Sequence, residues 1–229
     1  MASYDDSEMV IKLEKNGVDA IVSIKEDGRV LNKTVSMEEV ISKLMTNYSI
    51  STGLLPRGTR IYSGTQSDYA IGIEIPAGVR PLNYIREGKF KGKVPFPPCF
   101  MVIGVRSNTI FYSAIYAAHG PITSEKDNLY NFPFGNVYND GHICWGGVKL
   151  SAIKNPIELL PIVSSFMDSE YNGDLMYETT FNPTKLEGLI SRNLKSLLTA
   201  IENKEVFPLD ILVRAGQTVS GALKRVKGN

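Results

Sequence analysis

The chain has few of the side chains that bind metals or form disulfides: two cysteines and two histidines among 229 residues. They form no CxxC or HxxxH pair, which argues against a structural zinc site. No apolar run approaches the roughly 20 residues that a transmembrane helix needs, and the first residues lack the basic and apolar blocks of a signal peptide. We therefore predict a cytoplasmic protein with no membrane partner, in which Cys99 and Cys144 are free thiols.

The chain also has no excess of charge of either sign. Its 25 basic and 24 acidic residues give a net charge of +1, so the composition gives no reason to expect nucleic acid as a partner. Neither GxGxxG nor GxxxxGK[ST] occurs, so the chain carries no known phosphate-binding loop. A chain of 229 residues can bury one sizeable core, with room for an appendage.

Hydrophobic periodicity predicts an α+β protein. Alternating apolar residues and turn signals predict a small β-meander over residues 9–34, and the capping box of Ser36 and Glu39 predicts that a helix follows. Two helices are expected near the C-terminus. One follows Asn155-Pro156, with Pro161 favouring a kink or a later start, and a longer one starts at Thr184, with Leu194, Leu197 and Ile201 on its buried face. Four strands are predicted between the first helix and these two, at 57–63, 69–75, 99–105 and 109–116, and the last two are expected to form a hairpin around Arg106-Ser107-Asn108.

Four further expectations concern the parts around those strands. Ile71, Ile73 and Ile75 alternate with Gly and Glu, so strand 69–75 is predicted to have one buried face. The Pro, Gly and Lys content of residues 76–98 predicts an exposed, mobile loop. Its Lys89, Lys91 and Lys93 are interpreted as solvated, with a docking role as the weaker alternative. Residues 205–229 are interpreted as a short tail.

The segment from Phe134 to Cys144 is the best candidate for chemistry. Cys144 follows the turn-forming Asn139-Asp140-Gly141 and precedes Trp145-Gly146-Gly147, a setting that favours a nucleophilic thiol near the surface. A buried structural cysteine is the alternative, and it is our interpretation of Cys99. Asn136, eight positions before Cys144, has an amide that would stabilise an oxyanion, bond its own turn, or order the loop.

Ionisable neighbours offer weaker candidates. His142 is two residues from Cys144 and is a candidate modulator of the thiol, with a surface role as the alternative. Asp140 and Asp127 are candidate proton acceptors for an incoming amine, although most loop carboxylates are merely solvated. A cysteine hydrolase using His119 or His142 stays open, but the sequence identifies no third orienting group.

The spacing from Asn136 to Cys144 and the ending Gly141-His142-Ile143-Cys144 resemble the active-site segment of the E2 ubiquitin-conjugating enzymes. That family has His-Pro-Asn, a short turn and Gly-x-Ile-Cys; Phe134-Gly135 stands here in place of His-Pro, and Trp145-Gly146-Gly147 in place of the usual Leu-Asp. The wider stretch from Leu129 to Gly146 is most similar to prokaryotic E2 family D, which includes the proteins called PRTRC system protein B.

This resemblance implies a UBC-like fold: a four-stranded antiparallel meander with flanking helices. It suggests three regions, an N-terminal β extension at 1–35, an E2-like core at 36–204 and a C-terminal tail at 205–229. Cys144 would take a ubiquitin-like protein from an E1-like adenylating enzyme as a thioester and pass it to an amine of a target protein, without a metal or organic cofactor. Asn136 would support the oxyanion or order the loop.

Two alternatives stay open beside this interpretation. One is an E2 variant that lacks conjugating activity and only binds the ubiquitin-like protein or the E1. The other is the cysteine hydrolase. Proteins of the family that this chain resembles are typically encoded with an E1-like adenylating enzyme, a ubiquitin-like protein and a JAB-type peptidase. Such operons suggest defence against phage or plasmid maintenance as the biological setting.

Overall fold

The computed structural model describes residues 8–15, 17–26, 29–45, 52–86, 89–177, 180–189 and 191–228. The chain divides into two compact units, residues 1–51 and 52–229. In the first unit, strands β1 (Glu8–Leu13), β2 (Asp19–Glu26) and β3 (Arg29–Ser36) form an antiparallel sheet in chain order. Helix α1 (Met37–Met45) follows, and the Ser36 hydroxyl accepts a hydrogen bond from the Glu39 N–H at 3.1 Å. The predicted meander and the predicted helix start are confirmed.

The second unit is built on a six-stranded antiparallel sheet. In chain order its strands are β4 (Thr59–Gly64), β5 (Tyr69–Ile75), β8 (Cys99–Arg106), β9 (Thr109–Ala117), β10 (Asn128–Tyr130) and β12 (Arg214–Thr218). They lie side by side in the order β12-β10-β9-β8-β5-β4. Four of these strands, the neighbours β9, β8, β5 and β4, are the four that the sequence predicts. Ser107 and Asn108 both have positive φ, as the tight turn between β8 and β9 requires.

The predicted loop at 76–98 is wrong, because it contains β6 (Gly78–Tyr84) and β7 (Phe90–Phe96). These strands pair as an antiparallel hairpin, and the short β11 (Glu170–Tyr171) adds to β6 in parallel. Lys91 and Lys93 are exposed and their neighbours Phe90, Gly92 and Val94 are more buried, so residues 90–94 alternate with period two, and the strand ends in the buried run of residues 94–96. Its Pro, Gly and Lys content concealed that pattern. The α+β class is confirmed, but the four-stranded UBC meander is not, since this hairpin interrupts the order of the strands.

The six-stranded sheet is covered on both faces. Helix α4 (Val219–Gly228) packs on one face, where Val219, Ala222 and Val226 join a cluster with Phe100 and Val102. The isoleucines of β5 belong to the larger core on the opposite face. Strand β5 is therefore buried on both faces, which corrects the prediction of one. The segment interpreted as a short tail likewise contains a strand of the sheet and a packed helix.

The helices near residues 156–201 differ from expectation in their starts. A 3₁₀ turn (Pro156–Glu158) leads into α2 (Leu159–Met167), so Pro161 lies in the first turn of a helix that starts late, as one alternative predicted. The long helix from Thr184 is wrong: Pro183–Lys185 is a single 3₁₀ turn, and α3 (Leu194–Ile201) begins only after Asn193. The Asn193 side chain accepts from the Ser196 N–H at 2.8 Å and caps that start.

Helix α1 belongs to the same compact unit as the N-terminal sheet, whereas it was predicted to be the first helix of the core. The domain boundaries at 35 and 204 stay predictions. None of the helices within the described ranges is long and apolar enough to cross a membrane.

Candidate active site

The predicted site segment is a short β-hairpin. At its closed end the Tyr138 N–H donates to the His142 carbonyl at 2.8 Å, and the Gly141 N–H donates back to the Tyr138 carbonyl at 2.9 Å. These bonds close a four-residue turn over Tyr138-Asn139-Asp140-Gly141. The turn signal read from the sequence is thus confirmed as the tip of a hairpin.

The open end of the hairpin brings Asn136 and Cys144 together. Val137 and Ile143 form a bridge, and the Cys144 N–H donates to the Asn136 carbonyl at 2.9 Å. Asn136 and Cys144, eight positions apart in the sequence, therefore lie directly opposite each other on two short paired strands.

Strand β9 fixes this hairpin to the sheet. The Ile115 N–H donates to the Gly141 carbonyl at 2.9 Å, and the Ile143 N–H donates to the Ser113 carbonyl at 3.0 Å. Gly141 has φ +93°, and a Cβ there would lie 2.5 Å from the Tyr116 ring. Glycine is required at this position both for the backbone conformation and for the close packing.

Asp140 ties the hairpin tip to two other elements. Its carbonyl accepts from the Tyr116 hydroxyl at 2.9 Å and from the Arg225 guanidinium of α4 at 3.1 Å. Its carboxylate accepts from the His142 N–H at 3.1 Å and contacts the His142 Nδ1 at 2.9 Å. Burial alone would raise the pKa of Asp140, but the hydrogen bonds from His142 outweigh it and lower this pKa below its usual value. These contacts hold the turn.

The Asn136 side chain points at β11. Its Nδ2 donates to the Glu170 carbonyl at 2.8 Å and to the Ser169 hydroxyl at 3.3 Å, and its Oδ1 accepts from the Asn172 N–H at 3.2 Å. Bonds to the carbonyl of one residue and to the N–H two residues later are what a paired strand would make, so the amide completes the edge of β11. Asn136 also has φ +65°, a conformation that asparagine tolerates better than most residues.

Phe134 and Gly135 hold the entry to the hairpin by packing. The Phe134 side chain is 1% exposed, and its ring lies 4.4 Å from that of Phe96 and 6.0 Å from that of Phe207. A Cβ on Gly135 would lie 2.8 Å from the Asn172 carbonyl oxygen. Gly135 therefore permits the close approach to the β11 segment that the Asn136 amide needs.

The Cys144 thiol is half-buried and lines a groove of about 640 Å³. The Tyr138 hydroxyl lies 3.7 Å from its sulfur as a hydrogen-bond donor. This hydrogen bond, then the charge of the thiolate, raise the pKa of Tyr138 above its usual value. The groove also contains the Asn136 side chain, the acidic Glu170 and Asp174, and apolar side chains such as Ile85 and Val148.

Trp145 anchors the chain directly after the cysteine. Its indole N–H donates to the Ser113 hydroxyl of β9 at 2.8 Å, and its ring contacts that of Phe166 on α2 edge-on at 6.0 Å. Cys144 is thus held between two fixed points, its backbone bond to Asn136 and the Trp145 side chain.

The other candidates lie apart from the thiol. His142 is occupied by Asp140 and packs against the Tyr112 ring, while His119 stacks on Tyr130 in a different pocket. Among the described residues, neither histidine hydrogen-bonds to Cys144. Asp127 accepts backbone N–H bonds from Thr123 and Ser124, and it lines the His119 pocket.

Cys99 has the environment expected of a core cysteine. It is fully buried at the start of β8, and burial raises the pKa of its thiol to about 12. The structure therefore distinguishes the two cysteines as the sequence predicted, one inert in the core and one at a groove. No three His, Cys, Asp or Glu side chains cluster as a metal site in the part of the chain that the structure describes.

A comparison with models of protein families matches residues 78–215 to Prokaryotic E2 family D. The match covers more than half of the chain and includes the whole hairpin from Phe134 to Cys144. The chain belongs to prokaryotic E2 family D. No match is found among curated proteins or among solved structures. Membership supports an E2-like role connected with conjugation, and it confirms the family that the hairpin sequence resembles.

Sequence reasoning missed several residues of the E2-like site. Tyr138, Ser113 and Trp145 contact the thiol or its neighbours, and Arg225 reaches the hairpin tip from a helix that lies outside the matched range. The position of Tyr138, two residues after Asn136, is the one available signal, because alternate residues of a strand share a face. The other contacts depend on tertiary packing between segments distant in sequence.

Proposed function

We propose that this E2-like protein accepts the C-terminal carboxyl group of a ubiquitin-like protein as a thioester on Cys144 and transfers it to an amine of a target. The observation that carries the proposal is the half-buried Cys144 thiol, held at the open end of the hairpin beside a 640 Å³ groove. A groove of this kind leaves room for an extended acyl donor and for an acceptor beside the sulfur.

The chemistry needs little beyond a positioned thiol. In the first step the Cys144 thiolate attacks the carbonyl carbon of the E1 thioester; a new S–C bond forms and the E1 thiolate leaves. In the second step an amine attacks the same carbon; a C–N bond forms, the S–C bond breaks with Cys144 leaving as a thiolate, and the proton lost by the amine passes to solvent. A thioester is already activated, so positioning supplies much of what catalysis requires.

Asn136 is proposed to order the site. Both hydrogens of its amide are engaged, one by Glu170 and the other by Ser169, so it serves the loop in this arrangement and is not directed at an oxyanion. Of the roles that the sequence left open for Asn136, the contacts favour the ordering role.

The direct experiment is a charging reaction. The protein is incubated with ATP, an E1-like enzyme and a ubiquitin-like protein, and adducts are measured by non-reducing gel and mass spectrometry. We expect an adduct that dithiothreitol removes, no adduct with Cys144→Ala, and a dithiothreitol-resistant ester with Cys144→Ser. Cys99→Ala is the matched control and should charge as well as wild type, since Cys99 lies in the core. An undiminished reducible adduct on Cys144→Ala would contradict the assignment.

A binding module without conjugating activity is the second candidate. It is favoured by Phe134-Gly135 in place of His-Pro and by the full engagement of the Asn136 amide. In this case the protein would bind the E1-like enzyme or the ubiquitin-like protein in a pull-down, yet Cys144 would gain no mass after incubation with ATP. The hydrolase is less well supported, because no described histidine contacts the Cys144 thiol.

A further inference from the structure

Tyr138 stands out as the residue that touches the reacting sulfur. Five residues separate it from Cys144 in the sequence, but the hairpin makes Tyr138 and Cys144 diagonal neighbours on paired strands. A long aromatic side chain spans the distance between such neighbours. Its hydroxyl lies 3.7 Å from the Cys144 sulfur, which is within hydrogen-bond range for sulfur. The tyrosine is 46% exposed, so core packing does not account for its position.

Asn136, which lies opposite Cys144 across the hairpin, directs its side chain at the β11 segment and has no amide hydrogen left for the thiol. Asn136 uses Nδ2 for Glu170 and Ser169, and its Oδ1 accepts from Asn172. Among the residues that the structure describes, Tyr138 is therefore the side chain that donates to the sulfur.

We infer that Tyr138 is a catalytic residue whose hydroxyl donates a hydrogen bond to the Cys144 thiolate. The role rests on the proposed function: the same bond stabilises the sulfur anion that attacks the E1 thioester and the sulfur anion that leaves when an amine takes the acyl group. The hydroxyl keeps its own proton in both steps. Neither step oxidises or reduces the Cys144 sulfur.

The ionisation of Tyr138 is compatible with this role. Its pKa is raised by the hydrogen bond to Cys144, so the phenol stays protonated through neutral and mildly alkaline pH. A hydrogen bond to a charged acceptor contributes more than one between neutral groups, and this donor is partly exposed. We therefore expect a three- to tenfold effect on the fraction of thiolate, on the order of a single modest hydrogen bond.

The first test needs no partner. The rate of Cys144 alkylation by iodoacetamide is measured from pH 6 to pH 9.5, and mass spectrometry confirms the labelled residue. We expect Tyr138→Phe to lower the rate at pH 7 about three- to tenfold and to move the half-maximal rate to higher pH. On the high-pH plateau it should react as fast as wild type or faster, because a thiolate without a donor is the stronger nucleophile.

That pH dependence separates the hydrogen bond from a general defect of the hairpin. A distorted site would change the rate at every pH by the same factor, whereas loss of a donor moves the midpoint. Tyr177→Phe is the matched control, since Tyr177 lines the small pocket beside Tyr138 and makes no described contact with the thiol. A profile for Tyr138→Phe that superimposes on wild type, or a uniform loss at all pH values, would overturn the inference.

The second test uses the charged protein. Release of the acyl group from Cys144 to free lysine is followed at pH 7, and Tyr138→Phe is expected to slow it by a similar three- to tenfold. A shifted alkylation profile with no charging by E1 and ATP would preserve the role of Tyr138 on the thiolate and refute the proposed function. Charging by E1 and ATP together with an unshifted alkylation profile would support the proposed function and refute the role of Tyr138.

Discussion

Replacing Asn136 tests whether its amide braces the site. The substitution Asn136→Ala removes two donated bonds, of 2.8 and 3.3 Å, and one accepted bond of 3.2 Å, all to the 169–172 segment. At about 0.5–1.5 kcal/mol each and partly exposed, they sum to about 2 kcal/mol. Alanine also has to adopt φ +65°, which adds roughly 1–2 kcal/mol. We therefore expect a loss of about 3–4 kcal/mol in the free energy of unfolding.

Two further variants separate these contributions. Asn136→Gly loses the same bonds without the conformational penalty, but its unfolded chain gains entropy worth about 0.4–1 kcal/mol. It should therefore exceed the alanine variant in stability by about 0.5–1 kcal/mol. Asn136→Asp tolerates the left-handed conformation as asparagine does, and it keeps an acceptor for the Asn172 N–H while losing both donors. Its stability should lie below wild type.

Urea unfolding followed by tryptophan fluorescence is the appropriate assay. Trp145 is the single tryptophan and lies next to Cys144, so its emission reports on the site itself. Asn203→Ala, at an exposed position after α3, is the control and should change stability little. A free energy of unfolding for Asn136→Ala within about 0.5 kcal/mol of wild type would refute the bracing role. Equal stabilities of the Ala and Gly variants would refute the conformational part alone.

Three other predictions concern the same hairpin. Gly135→Ala places a Cβ 2.8 Å from the Asn172 carbonyl oxygen and should lower stability by about 1–3 kcal/mol in the same urea assay; a neutral result would show that the β11 segment moves freely. Asp140 has a lowered pKa, so its stabilising contribution is present above the usual value of 3.8 and is lost as the pH falls through the lower native value. Asp140→Asn should flatten the fall in stability over that acidic range, and an unchanged acid profile would contradict this. Arg225→Ala removes a 3.1 Å bond to the Asp140 carbonyl and should speed hydrogen exchange of the Gly141 amide; unchanged exchange would mean that α4 does not hold the turn.

Local sequence signals predicted the elements that are locally determined. The Ser36 cap, the β8–β9 turn and the Asn139-Asp140-Gly141 turn each depend on residues within a few positions, and all three are present. Elements that depend on distant partners were missed. Strand β12 contains Gly216 and Gln217, and its residues have low β-propensity. It is a strand because it hydrogen-bonds to β10, a partner distant in sequence.

The long helix predicted from Thr184 shows how an apolar period misleads. Leu194, Leu197 and Ile201 are buried on one helical face as expected, but Asn193 caps that helix, and Asn182 binds the Thr184 N–H in a separate turn. Two competing caps in one stretch of sequence cannot be ranked from spacing alone. Tertiary packing selected the later one.

Cys144 and Asn136 were candidate site residues from the sequence, and the structure places them opposite each other. The contacts of the Asn136 amide were not predicted. Its partners are mostly backbone groups of the segment after α2, which no spacing argument connects with the hairpin. The same holds for Tyr138, whose contact with Cys144 follows only once the segment is known to be a hairpin and not an irregular loop.

The hairpin explains how the site is held without the His-Pro that the wider E2 family has before the asparagine. Phe134 fills the core between Phe96 and Phe207, so the entry to the hairpin is fixed by burial of a large ring. Gly135 then allows a backbone approach that a proline ring at the same position would obstruct, because even a single Cβ would meet the Asn172 carbonyl at 2.8 Å. That approach is what lets the Asn136 amide complete β11. The two residues that differ from the wider family therefore both serve the Asn136 contact, Phe134 by filling the core and Gly135 by leaving space for the Asn172 carbonyl.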